Sequence, residues 1–269
     1  VFGKRSLKDV DEYTVAWSVS LFSTPFFLAM LLFVPIPQIG PGFWYALIGT
    51  GILNLIAVIL YMKALKASDL SITIPMLTFT PIFLLVTGPL MLGEFPSFLG
   101  IIGIFLIVAG SYILNIKKCR EGLAEPFKAL LKETGPRLML VVAFIYSITS
   151  NFDKIGVTNS SPVFFAIAAN LFAAVALSFI VAMKAKGGIG SIKKSYKMIA
   201  PIGIFHALGT IAQMTAYTFT IVAYVISIKR TGILVSILFG YFLFKEKNIK
   251  ERLIGAAIMV AGVILIAFS

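Results

Sequence analysis

The side chains of this sequence that can do chemistry sit inside long apolar stretches: Lys229, Arg230, His206, Asn54, Asn170, Gln213 and Tyr217. Lys229 and Arg230 are the sharpest of them. A charge inside a bilayer costs roughly 2.5–3.5 kcal/mol on insertion scales, so the pair needs a compensating environment. Three are open: snorkelling to the outer surface, an ion pair with Asp153, or an anionic group of a bound solute. Adjacent residues on a helix point about 100° apart, so one of the two is expected to face inward. His206 takes and releases a proton near neutral pH, and Asn54 occupies the equivalent place earlier in the chain. Either would equally serve an interhelical hydrogen bond, and that is the main reading for Asn170 and Gln213. Tyr217 and Tyr224 are candidates to line a cavity.

Other chemistries lack their residues. The chain has one cysteine, Cys119, and one histidine, so neither a disulfide nor a metal centre is expected. There is no glycine-rich phosphate loop, no Ser-His-Asp set and no pair of carboxylates within an apolar stretch. An enzyme is not expected, nor a cofactor. The polar residues at matched depths suit binding of a small-molecule substrate.

The elements that must carry these residues are set by composition. The chain is 59% hydrophobic, with a mean hydropathy of +1.00, well above the roughly 45–50% apolar content of soluble domains. Apolar stretches of about 20 residues recur along it, as a hydrocarbon core of about 30 Å requires. Nine spans are expected, at 12–35, 42–62, 71–91, 97–115, 138–156, 162–183, 199–219, 223–244 and 253–268. The fold class is therefore an all-α integral membrane protein. The net charge of +12 does not point to nucleic acid. Counted by connecting segment, 20 of the 23 Lys and Arg fall on one side of the membrane, and Lys154 alone on the other. That asymmetry marks the basic side as cytoplasmic and suits contact with anionic lipid. A multi-pass protein of a prokaryotic plasma membrane is expected, with Ser269 outside.

A pattern, Glu-x8-Gly-x6-Gly, occurs at Glu94/Gly103/Gly110 and again at Glu246/Gly255/Gly262. From Gly51 to Leu114 the chain aligns without gaps on Gly203 to Ile266, which pairs Asn54 with His206 and Glu94 with Glu246. Five helices per repeat is an odd number, so the second copy enters the membrane inverted, and the expected site lies between the halves. Gly103 and Gly110 share one helix face, as do Gly255 and Gly262; close backbone packing, within a protomer or across a homodimer, is the expected use. Glu94 and Glu246 lie at helix starts, where a carboxylate complements the helix dipole. The opening VFGKRSL matches NFDKIGV (151–157) at Phe2/Phe152 and Lys4/Lys154. In the second half that segment ends a full span, so a tenth helix is expected ahead of Val1. The domains expected are a first repeat over 1–115, a linker over 116–136, and a second repeat over 137–269. In the linker Leu123, Phe127, Leu130 and Leu131 fall on one helical face, suiting a short helix on the membrane surface.

The segments GEFPSFLGIIGIFLIVAG (93–110) and KEKNIKERLIGAAIMVAG (245–262), each a Glu followed by a glycine-rich final helix, resemble the drug/metabolite transporter superfamily in its ten-helix, EamA-like branch. ALKASDLSITIPML (64–77) and AYTFTIVAYVISIK (216–229) fit that family's preceding helices. The resemblance implies a permease of two inverted five-helix repeats, nine helices being present here, and leaves the substrate open. It also implies that both termini are cytoplasmic, whereas the charges put Ser269 outside; we follow the charges. The function expected is secondary active transport of a small polar or anionic metabolite by alternating access between the halves. Export of lipophilic cations by proton exchange is the alternative, and a non-transporting scaffold a weaker one.

Overall fold

The computed structural model describes residues 12–69, 73–116, 132–184, 192–235 and 249–269. Among these residues every regular element is helical. The helices are α1 (Glu12–Met30), α2 (Gly42–Ala67), α3 (Thr80–Leu92), α4 (Phe98–Ile116), α5 (Thr134–Thr158), α6 (Pro162–Lys184), α7 (Ile192–Ala216), α8 (Val222–Arg230) and α9 (Ile249–Ala267), with a 3-10 turn at Ile74–Phe79 leading into α3. Each expected span overlaps described helix, the eighth as far as residue 235, and the protein is an all-α integral membrane protein. The stretches Gly42–Ala67, Ile74–Leu92, Thr134–Thr158 and Pro162–Met183 are long and apolar enough to cross a bilayer; α1, α4 and α9 hold shorter apolar runs. Small polar residues are buried alongside the apolar core, and large apolar side chains face outward. Ser18, Ser23, Thr50, Ser147 and Asn151 are fully buried, while Leu90, Phe179 and Phe205 stand outward, as a lipid solvent demands. The expected linker helix and Glu246 lie outside the described residues.

Two spans differ from the sequence reading in one respect. The third begins as the 3-10 turn and becomes α-helical only at Thr80. The eighth breaks after Arg230, at Thr231, before a short turn of helix over 232–235. Pro75 and Pro81 flank the first break, where they remove backbone donors, and Gly232 follows the second. The spacing that relates Gly51 to Gly203 also relates Thr80 to Gly232, so the two breaks stand at equivalent places in the repeat.

The chain divides into two compact units, and each draws on both sequence halves. One comprises 1–62 with 152–219, the other 63–151 with 220–269. In the first unit α1 packs against α6 and α7. Trp17, Leu177 and Val181 form a buried cluster there, and the Trp17 indole donates to Ser178 Oγ at 2.7 Å. Gly51 of α2 seats the ring of Phe172, and Gly203 of α7 seats Phe22. The spacing that relates Phe2 to Phe152 also relates Phe22 to Phe172. The two seats are therefore one contact made twice, with the halves exchanged.

The second unit repeats that exchange more tightly. A methyl group on Gly103 would lie 2.7 Å from the carbonyl oxygen of Gly262, and one on Gly262 2.6 Å from that of Gly103. Gly110 and Gly255 stand in the same relation, at 2.5 and 2.9 Å. The early glycine of each helix thus meets the late glycine of the other, so α4 and α9 run antiparallel about a local two-fold axis. Ile104, Ile107, Leu114, Met259 and Ile266 bury themselves beside the seam. An inverted duplication produces this reciprocity, and the packing use of the glycines holds within a single chain.

Candidate functional site

Lys229 and Arg230 belong to the second unit. They end α8, where the helix carbonyls favour positive charge. The two side chains diverge, as neighbours on a helix must: Lys229 is exposed and Arg230 is half-buried. Arg230 Nη2 donates to Thr80 Oγ1 at 2.9 Å, and the same hydroxyl donates to the Leu77 carbonyl at 2.8 Å. Thr80 is the first residue of α3, whose amino end has no side-chain cap. The guanidinium therefore links one helix break to the other, beside a helix amino terminus. The Thr80 N–H is itself bonded to the Leu77 carbonyl and Pro81 has none, so the group at this point that favours an anion is the guanidinium.

The same unit shows what holds the broken helix. Glu94 Oε2 accepts from the backbone N–H of Val222 at 2.9 Å, the first residue of α8. The expected complement of carboxylate and helix dipole exists, but for a helix of the other repeat, not for the one that follows Glu94 in sequence. In return the Tyr224 hydroxyl accepts from the N–H of Ser97 at 3.1 Å, and the Ser97 hydroxyl caps Gly100 N–H at 3.0 Å. Gly100 leaves the space that the Tyr224 ring fills. Tyr224 is thus a docking residue between α8 and the start of α4. Gly93, with φ of +66°, ends α3 in the left-handed conformation that glycine adopts without strain.

The other candidates lie in the first unit. Asn170 is buried, and its amide donates to the Ser20 carbonyl (3.4 Å) and to Thr24 Oγ1 (3.1 Å) across the α1–α6 interface. Tyr217 is 1% exposed, and its hydroxyl accepts from Gln213 Nε2 at 2.6 Å. His206 is exposed on α7, with Nδ1 at 3.2 Å from Ser23 Oγ. Asn54 is half-buried and donates to Thr50 Oγ1 at 3.0 Å. Asn54 and His206 therefore bond to different partners, on α2 and α1.

Asp153, considered above as an ion-pair partner for the basic residues, is only 8% exposed in α5. It accepts from Thr50 Oγ1 at 2.6 Å. Its position five residues before the helix end was visible; its burial was not. At the same end of this unit, Asn159 Oδ1 accepts from Gly42 N–H at 3.0 Å and caps the first turn of α2.

The sequence matches the family model described as the EamA-like transporter family over residues 1–116 and 134–268. No curated protein matches it. A solved structure described only as the crystal structure of a protein is similar, with a TM-score of 0.75 and 13% identity, covering 99% of this chain and 91% of that one. At that identity the likeness speaks for the fold alone.

Proposed function

Because the chain belongs to the EamA-like transporter family, we propose that it is a secondary active transporter of a small polar or anionic metabolite, working by alternating access in the plasma membrane of a prokaryote. Membership in a transporter family makes it a membrane transporter; the class of solute is our reading. The observation that carries it is the hydrogen bond from Arg230 to Thr80, which joins the breaks of two spans at equivalent places in the repeats. Interrupted helices at matched positions of two inverted repeats commonly supply transporter binding sites, because their free ends replace the hydration of a polar solute. Here the group offered at the junction is a guanidinium, suited to a carboxylate or phosphate oxygen. Arg230 would bind that oxygen in a forked geometry, exchanging its bond to the Thr80 hydroxyl for the solute. Lys229, on another face, would draw anions in without gripping them.

A binding screen tests the solute class. Thermal unfolding of purified wild-type protein is followed with panels of carboxylates, sugar phosphates, neutral sugars and organic cations. Stabilisation by members of the anionic panels, lost in Arg230→Gln, supports the reading. Stabilisation by the cationic panel alone, or by anions equally in Arg230→Gln, contradicts it.

A further inference from the structure

Asp153 is a buried acid in a membrane helix that substrate binding, as derived above, does not use. We propose that Asp153 carries the proton that drives the transport cycle, and that Thr50 and Asn54 form the relay that registers its charge.

Hydrogen-bond polarity carries this inference. Asn54 Nδ2 donates to Thr50 Oγ1 at 3.0 Å, and Thr50 Oγ1 donates to Asp153 Oδ1 at 2.6 Å. Both donors point the same way, ending on the carboxylate. Thr50 is fully buried. It stands eight residues into α2, about 12 Å from the start of that helix. The group therefore sits within the span and not at its end. When Asp153 takes a proton from water, it must find an acceptor for the new O–H, and the Thr50 hydroxyl loses the charge that aligns it. One proton thus alters the bond between α5 and α2, and releasing it to water restores the bond.

Among the described residues of the first unit, Asp153 is the buried acid at this end. Lys154 follows it on α5 and is half-buried. Within the unit, α2 and α6 pack against this part of α5, through Phe152 at Gly49 and Phe165 at Gly156. On α2 the titratable group at this end is Tyr45, whose ring lies edge-on to Phe152; Tyr61, Lys63 and Lys66 lie at the far end. On α6 it is Lys184, again at the far end. His206 bonds to Ser23 instead.

The inference rests on the transporter reading for its cycle, so the test has two arms. Wild-type protein and Asp153→Asn are reconstituted in phosphatidylethanolamine–phosphatidylglycerol vesicles. The substitution keeps an acceptor for Thr50 but cannot titrate. In the first arm, infrared difference spectra between acidic and neutral buffer should show a protonated-carboxyl band that Asp153→Asn loses and Thr50→Val shifts. Identical spectra for wild type and Asp153→Asn overturn the proposal. In the second arm the vesicles enclose pyranine, and labelled amino acids, dicarboxylates and sugar phosphates are added. Wild type should move protons with whichever solute it carries, and in Asp153→Asn the protons moved per solute should fall to background. A proton-to-solute ratio unchanged by the substitution overturns the proposal. If wild type carries no member of the panel, the transporter reading loses support, and the first arm alone decides whether Asp153 takes up the proton.

Discussion

Replacing Gly103 by alanine should weaken the second unit, whereas the same replacement at Gly209 should not. A methyl group on Gly103 would lie 2.7 Å from the carbonyl oxygen of Gly262 and 2.8 Å from Ile266 Cγ1. A carbon–oxygen contact between helices settles near 3.3–3.6 Å, so α9 would have to retreat by about 0.6 Å. The obstacle is backbone, which cannot turn aside as a side chain can. Overpacking of this kind costs about 1–3 kcal/mol, and alanine returns up to about 1 kcal/mol of helix propensity. The net expectation is a loss of about 1–2 kcal/mol for Gly103→Ala. Gly262→Ala meets the mirror-image contact at 2.6 Å and should cost about as much. The double variant should cost clearly less than the two together, because one separation of the helices accommodates both methyls. Nothing lies within 4 Å of a methyl at Gly209 on α7, where only the gain of about 1 kcal/mol remains. The assay is reversible unfolding of each variant in mixed micelles. Equal shifts for Gly103→Ala and Gly209→Ala, or strict additivity in the double variant, would refute the reciprocal seam.

Glu94→Ala should destabilise by about 1 kcal/mol through loss of the cap on α8, and Glu94→Gln by less, because the amide oxygen still accepts from Val222. Unfolding of the two variants checks the order. If they prove equal to wild type, the cap contributes nothing. Topology is checked with single cysteines replacing Lys118, Lys193 or Ser269 in a Cys119→Ser background. The charge distribution predicts that a membrane-impermeant reagent in the medium reaches only position 269 in intact cells. Labelling at 118 and 193, but not at 269, would reverse the assignment.

What the sequence revealed, and what it hid, divides by the range of the interaction. The glycine seam was legible because close approach of two backbones needs a residue without a side chain, at a fixed spacing, on both partners. The inverted repeat was legible for the same reason, and Gly51 with Phe172 and Gly203 with Phe22 now show it again in the other unit. Glu94 was legible in kind only. A carboxylate at a connection suits a helix amino terminus, but which helix it caps is a matter of tertiary structure, and the answer is α8. Breaks in the third and eighth spans left signs, in Pro75 and Pro81 and in Gly232, yet apolar composition alone reads straight through them. Asp153 was hidden most thoroughly. Its depth in α5 follows from its neighbours on α2, and no pattern within either segment announces the pairing with Thr50.

The central claim is that Arg230, at the meeting of the two broken helices, grips an anionic group of the transported solute. It is tested most directly by solute exchange in vesicles holding wild type, Lys229→Gln or Arg230→Gln, each verified as folded by gel filtration. The account predicts exchange of an anionic or zwitterionic metabolite by wild type, reduced exchange in Lys229→Gln, and none in Arg230→Gln. If both variants exchange that solute as wild type does, the pair is structural and the account is contradicted.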